Sequence, residues 1–205
     1  HLDKNLSILV IPKNPTKADL ERSTSFILDE LLGDFPFADP PSKHHALSLI
    51  IQPFVRLMID GPTPLYLIES PVAGTGKGLL ADVCARVFIG RAPPIMTEAG
   101  DKEEWRKRIT AKLLESPSHI LIDNLSTRLD SSDLAAALTA VTWEDRVLGV
   151  SQMTSISVNC TWLATGNNPA LSTENARRTI PIRLDSGHER PEARTAFRHR
   201  DLKGW

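Results

Sequence analysis

The sequence predicts a three-layer α/β/α fold: a central, mostly parallel five-stranded sheet between helices, with a β-hairpin insert and an N-terminal helical lead-in. Two observations carry this. From residue 61 onward, short apolar stretches bounded by turn residues alternate with longer amphipathic ones, and the first apolar stretch runs straight into a glycine-rich turn that opens a helix. At 205 residues, 41% of them hydrophobic, the chain is long enough to bury one such core and carry a helical extension.

The elements follow in order. Residues 6–11 form an apolar run that ends at Pro12, Asn14 and Pro15, an extended segment closed by a turn. Residues 19–32 set Leu20, Phe26, Ile27, Leu31 and Leu32 near helical spacing, with Gly33 as the stop. After a stretch rich in Pro and Phe, residues 44–58 resume a helix that must accommodate Pro53 by a kink. A boundary near residue 43 separates this lead-in, 1–43, from the main domain, 44–205. There the pattern places strands at 65–68, 94–96, 119–122, 158–164 and 179–184. Helices are expected at 76–88, 102–115 and 133–143, with a short one at 173–178.

Bulk charge excludes little. The 24 Lys and Arg against 25 Asp and Glu leave a formal charge of -1, so any nucleic-acid contact must be local. Cys84 and Cys160 lie in apolar segments without metal-ligand spacing, and a reducing, intracellular compartment fits them best. No apolar run reaches the roughly 20 residues of a membrane span and no signal peptide opens the sequence, so a soluble, cytoplasmic protein is expected. The abrupt start at His1 fits a piece of a longer polypeptide.

The central chemical signal is the strand, glycine turn and helix around GTGK, residues 74–77. Inward-facing N–H groups of such a turn hold phosphate oxygens, the helix dipole favours the anion, and the lysine reaches the outer phosphates. The phosphate-binding set is Ala73, Gly74, Thr75, Gly76, Lys77, Gly78 and Leu79, and ATP is the expected ligand. Pro71 stands where the pattern has its first glycine. Gly78 stands where a magnesium-binding hydroxyl belongs.

A second apolar strand ends in Asp123, the expected Mg2+ ligand at the C-terminal end of the strand beside the phosphate-loop strand. Asn124 follows, where a carboxylate would polarise an attacking water. An amide orients water but accepts no proton, so hydrolysis is slow or borrows an acid from elsewhere. A third strand ends in Thr165-Gly-Asn-Asn168, read either as a plain turn or as a site that senses phosphate and positions water. Asn167 is the first choice and Asn168 the second. The adjacent Arg177 and Arg178 are either a solvated face or a finger that stabilises phosphoryl charge in a neighbouring subunit.

Residues 144–158 alternate on both sides of a polar tip and form the expected hairpin, its tip carrying Ser151, Gln152, Thr154 and Ser155. It is either structural or a contact for nucleic-acid backbone. The basic stretch from Trp105 to Arg108 sits among Glu103 and Glu104 and reads as a solvated helix face. Histidines lack the companions for zinc.

The ordered set of GTGK, ILIDN, a hairpin-like insert, TGNN and ARR before TIPIRLD resembles AAA+ ATPases, particularly superfamily 3 and related helicase-type ATPases of phages, plasmids and integrative elements. The stretches PLYLIESPVAGTGKGLLA and WLATGNNPALSTENARRTIPIRLD are similar to the ATPase part of primase-helicase-like proteins of mobile elements. That resemblance covers roughly residues 45–205. It implies a homo-oligomeric ring, a hexamer, with ATP sites between subunits and the 145–158 hairpin touching single-stranded DNA in the channel. The expected function is thus an ATP-hydrolysing motor, a DNA helicase or translocase of mobile-element replication. Two alternatives stand beside it: a weakly hydrolysing or non-hydrolysing assembly or loader module, favoured by Asn124 and Gly78, and a small-molecule kinase.

Overall fold

The computed structural model describes residues 12–146, 152–188 and 190–204. The extended segment expected at residues 6–11 lies outside the described residues. Contacts divide the chain into residues 1–34 and 35–205, so the Pro- and Phe-rich stretch before residue 43 belongs with the larger unit.

In the smaller unit, helix α1 (Lys17–Ser25) opens on a reciprocal cap: Thr16 Oγ1 accepts from Asp19 N–H while the Asp19 carboxylate accepts from Thr16 N–H. It runs on into a π-helical turn, Phe26–Leu31, closed by Leu32 N–H donating to the Ile27 carbonyl.

Helix α2 (Pro40–Val55) begins earlier than the apolar spacing predicts, because Asp39 caps it and prolines fill its first turn, where a missing N–H costs nothing. Pro53 sits buried inside α2, and a 3-10 turn, Arg56–Met58, follows.

The sheet then builds from β1 (Leu65–Ser70), β2 (Ile95–Thr97), β3 (His119–Leu125), β6 (Thr161–Asn167) and β7 (Thr179–Arg183), interleaved with helices α3 (Lys77–Ile89), α4 (Lys102–Leu114), α5 (Ser132–Ala137) and α6 (Thr173–Ala176). Its spatial order is β2-β3-β6-β1-β7, and every pairing is parallel. The expected five-stranded sheet is therefore present. The acid-bearing strand β3 does not lie beside β1, however: β6 runs between them, pairing Leu65 with Trp162 on one side and Ile120 with Trp162 on the other.

Strand alternation sorts the two faces. Leu65, Leu67, Ile120, Ile122, Trp162 and Ala164 form one buried cluster with Trp105, Ile109 and Leu113 of α4 and with Leu134 and Ala137 of α5. Tyr66, Ile68, Leu121, Leu163 and Ile182 are also buried and point the other way, toward α2 and α3. On that side Ser48 of α2 donates to Tyr66 Oη at 3.2 Å, and Gln52 donates to Thr161 Oγ1 at 3.2 Å. His45 Nδ1 meets the Pro181 carbonyl at 2.7 Å.

The insert is a two-stranded antiparallel ribbon, β4 (Thr142–Arg146) with β5 (Met153–Ser157). Residues 147–151, including Ser151 of the expected tip, lie outside the described residues. The helix expected at 133–143 stops at Ala137, because Thr142 and Trp143 are drawn into β4. Trp143 is buried and its Nε1–H donates to Thr110 Oγ1 at 2.9 Å, while Thr110 donates to Asp145 at 2.5 Å. Arg106 completes the joint, pairing with Asp145 at 3.0 Å and lying 5.6 Å over the Trp143 ring. What reads as a solvated basic helix face thus contributes the clamp on the hairpin's base.

Both cysteines are buried, and burial pushes each thiol up to about 12. His119 opens β3 on the α3 face and is 1% exposed, with its ring 5.9 Å from that of Phe88. Burial holds its pKa down at about 4, so the folded protein keeps it neutral. The unfolded chain, with a histidine near 6.5, takes up a proton first, and stability is lost as pH falls from about 6.5 to about 4. His119→Phe is expected to remove a component on the order of 3 kcal/mol from that acid sensitivity, read by urea denaturation at pH 7 and pH 4.5. An unchanged pH slope would show that His119 takes up its proton as readily in the fold as in the unfolded chain.

Candidate functional site

The site forms where β1 ends. Ser70 is fully buried, and its Oγ donates to the Val72 carbonyl at 2.9 Å and accepts from Val72 N–H at 3.3 Å, which turns the chain tightly after the strand. Residues 71–76 then lead into α3. Gly76 caps that helix with a left-handed backbone, φ 94°, a conformation costly for any residue with a Cβ. As a glycine, the cap residue brings no side chain to the first N–H groups, which with the positive end of the helix dipole face the loop. Thr75 is buried with its hydroxyl turned toward the Val72 carbonyl at 3.5 Å. Ala73 and Gly78 are exposed and Leu79 is half-buried. A side chain added at Gly78 would meet nothing within 4 Å, so this position lacks a hydroxyl for no steric reason.

Lys77 leads α3 and reaches across to the end of β6. Its Nζ donates to Asn167 Oδ1 at 2.6 Å and to the Val72 carbonyl at 3.3 Å. Desolvation holds its ammonium pKa below the usual lysine range, and the charge of Asp123 partly restores it. Asn167, rather than Asn168, is thus the amide within reach of the lysine. Asn168 adopts φ 44°, and its N–H closes the turn onto the Ser70 carbonyl at 3.0 Å.

Asp123 arrives by alternation. Counting back through Leu121 and His119, it shares the α3 face of the sheet, as do Thr165 and Asn167 counting from Leu163. Thr165 Oγ1 donates to Asp123 Oδ1 at 2.6 Å and accepts from Asn124 N–H at 2.8 Å, so one hydroxyl fixes the acid and the turn after it. The β3–β6 register shifts between Ile122 and Leu125, a bulge that takes Asn124 out of the ladder. Asn124 has φ 57°, a backbone state that asparagine tolerates and glutamate does not readily adopt. Local geometry therefore disfavours glutamate at this position, though not aspartate.

The arginines are not brought to this site. Arg178's carbonyl accepts from Leu65 N–H at 2.9 Å, at the start of β1, whereas the loop follows its end at Ser70. Five strand steps separate these points, roughly 17 Å. Arg178 is also engaged within its own turn, donating to the Glu174 carbonyl at 2.6 Å, while Arg177 is exposed.

Sequence reasoning missed Thr165 and Glu192. A hydroxyl near the end of an apolar strand, two residues before Asn167, is the signal that would have found Thr165. Glu192 lies in a 3-10 turn, Pro191–Ala193, whose placement against Gly74 has no local sequence signature.

No family model matches the chain, and no curated protein matches it. Among solved structures it is similar to a JCV helicase bound to a thiazolopyridinyl-phenoxyphenyl acetamide, with 12% identity and a TM-score of 0.44 over 85% of this chain and 53% of that one. A second X-ray structure of JCV helicase matches with 11% identity and a TM-score of 0.43, over 81% of this chain and 51% of that one. The chain spans about half the length of those helicase chains.

Thr165→Val keeps the side chain's shape and deletes the hydroxyl that joins Asp123 to Asn124. It is expected to cost about 2 kcal/mol in urea denaturation, because the Asp123 carboxylate and the Asn124 N–H each lose a partner. A cost below about 0.5 kcal/mol would mean that water takes over both bonds.

Proposed function

We propose that this chain is an ATP-binding and ATP-hydrolysing motor domain, a DNA helicase or translocase of mobile-element replication that works as a homo-oligomeric ring, a hexamer, in the cytoplasm. The observation that carries the proposal is the convergence of Lys77 and Asn167, 2.6 Å apart, and of Asp123 on the face of the sheet that meets the uncapped N-terminus of α3. A cation, a polar amide and an acid around free helix N–H groups suit a triphosphate better than any neutral ligand.

The residues fit the groups this reading requires. The N–H groups at the start of α3 and the Lys77 ammonium would hold phosphate oxygens, the lysine exchanging its present acceptors, Asn167 Oδ1 and the Val72 carbonyl, for charged ones. Asp123, oriented by Thr165, would hold Mg2+, which supplies charge neutralisation on the phosphate oxygens when bound. Gly78 offers the metal no hydroxyl. Asn167 would orient the attacking water, and the arginine of another copy would stabilise the charge that develops on the transferred phosphoryl group. The roughly 17 Å between the arginines and their own loop supports action in trans. Arg177, exposed, is the better finger, since Arg178 is tied to Glu174.

The β4–β5 ribbon would meet single-stranded DNA. Its base is clamped by Arg106 and Thr110, which suits an element that transmits force. Among the described residues no helix is long and apolar enough to cross a membrane. A second reading, a nucleotide-dependent loader with little turnover, is favoured by one observation: residue 124 is an amide, on a backbone that disfavours glutamate, where hydrolysis would want a carboxylate.

Arg177→Ala is expected to leave ATP affinity nearly intact while lowering turnover about 10³-fold. Mixing it with Lys77→Ala, itself inactive, should restore part of the activity, since some interfaces then pair an intact loop with an intact arginine. No recovery, with subunit exchange shown independently, would contradict shared sites. Turnover absent from the wild type with and without single-stranded DNA, despite tight ATP binding, would favour the loader.

A further inference from the structure

The chain that leaves β7 returns over the phosphate loop. In the 3-10 turn Pro191–Ala193, Pro191 is buried and Glu192 lies against Gly74. A methyl group placed on Gly74 would stand 2.8 Å from Glu192 Oε2, 3.3 Å from its Cβ and 3.4 Å from its backbone nitrogen. Gly74 has φ 79°, a backbone that favours glycine, and its bare Cα lets the Glu192 carboxylate lie on the loop whose N–H groups attract anions. Farther along, Lys203 Nζ pairs at 2.7 Å with Asp82, a carboxylate that is 6% exposed on α3 and also held by Arg86 at 2.7 Å. The segment is therefore fastened to α3 at one point and to the loop at another.

We propose that residues 190–204 form an autoinhibitory strap across the phosphate loop, with Glu192 as the carboxylate that an incoming phosphate must displace. The inference rests on the reading of the loop as a nucleotide site. Two like charges cannot share one glycine loop without a large electrostatic cost, and that cost falls on the ligand that arrives second. Lys203 supplies the return: its pair with the nearly buried Asp82 stays fastened while Glu192 swings away, and it brings the carboxylate back when the phosphate leaves. The strap thus makes the empty loop self-occupied, so nucleotide binding and tail release are linked in both directions.

The test uses the full chain and two readouts. In calorimetric titration with ATP and Mg2+, Glu192→Gln is expected to tighten affinity roughly fivefold at low salt, with the gain shrinking as ionic strength rises. Glu192→Lys should tighten it further. Saturating ATP is expected to speed tryptic cleavage at Arg194, Arg198 and Arg200 in the wild type, because that part of the strap leaves the loop, while Lys203, still paired with Asp82, is cut no faster. Wild-type binding with unchanged or weaker affinity in both Glu192 variants would overturn the strap alone and make Glu192 a neutral neighbour or a part of the nucleotide site. ATP-induced protection of Arg194, Arg198 and Arg200 would overturn it as well. Absence of ATP binding in the wild type and in both variants would overturn the nucleotide reading together with the strap.

Discussion

The parallel pairing of β6 between β1 and β3 is the constraint on which the site depends. Its register, Ser70 with Asn167 on one side and Ile122 with Ala164 on the other, fixes how far each strand projects beyond the sheet. Trp162, 1% exposed, anchors that register in the core, so a one-residue slip would drive the indole into the α2 and α3 face and carry Thr165 and Asn167 away from it. Because side chains alternate strictly, the same register decides that Asp123, Thr165 and Asn167 share the face of α3. Chemistry at the sheet's end is thus set by packing in its middle.

Around that frame the electrostatics are balanced with internal partners. Lys77 bonds Asn167 and the Val72 carbonyl, Asp123 bonds Thr165, and Glu192 leans on Gly74. In the proposed reading, Lys77 and Asp123 would exchange these contacts for stronger, charge-assisted bonds to an anion and its metal, and Glu192 would be displaced. The site is preorganised in position while its hydrogen bonds remain exchangeable, which is what a reversible ligand site requires. Desolvation of the lysine adds to this, since an ammonium that has already lost water gains more from a phosphate.

Much of this was legible in the sequence because it is local. Gly76 at the turn, the apolar strand into Asp123 and the strand into Asn167 are each written in a few consecutive residues, and the structure has those strands within a few residues of their expected bounds. What was not legible is what depends on pairing. No periodicity tells that β6 separates β1 from β3, nor that Thr142 and Trp143 leave a helix for a hairpin whose partner is ten or more residues away. Asn124 shows the converse: read as chemistry it is a missing carboxylate, whereas the backbone shows a bulge that asparagine suits. Arg177 and Arg178 could be read as a pair but not told apart, since only the turn that ties Arg178 to Glu174 distinguishes them.

The central claim is that Lys77 holds the outer phosphates of a nucleotide at the end of β1, and calorimetric titration of wild type and Lys77→Ala with ATP and Mg2+ tests it most directly. The account predicts saturable binding by the wild type and loss of at least about 100-fold in affinity in the variant, in keeping with removal of a charge-assisted phosphate contact, with far-ultraviolet circular dichroism and thermal midpoint unchanged. Equal affinity in two equally folded proteins would contradict it.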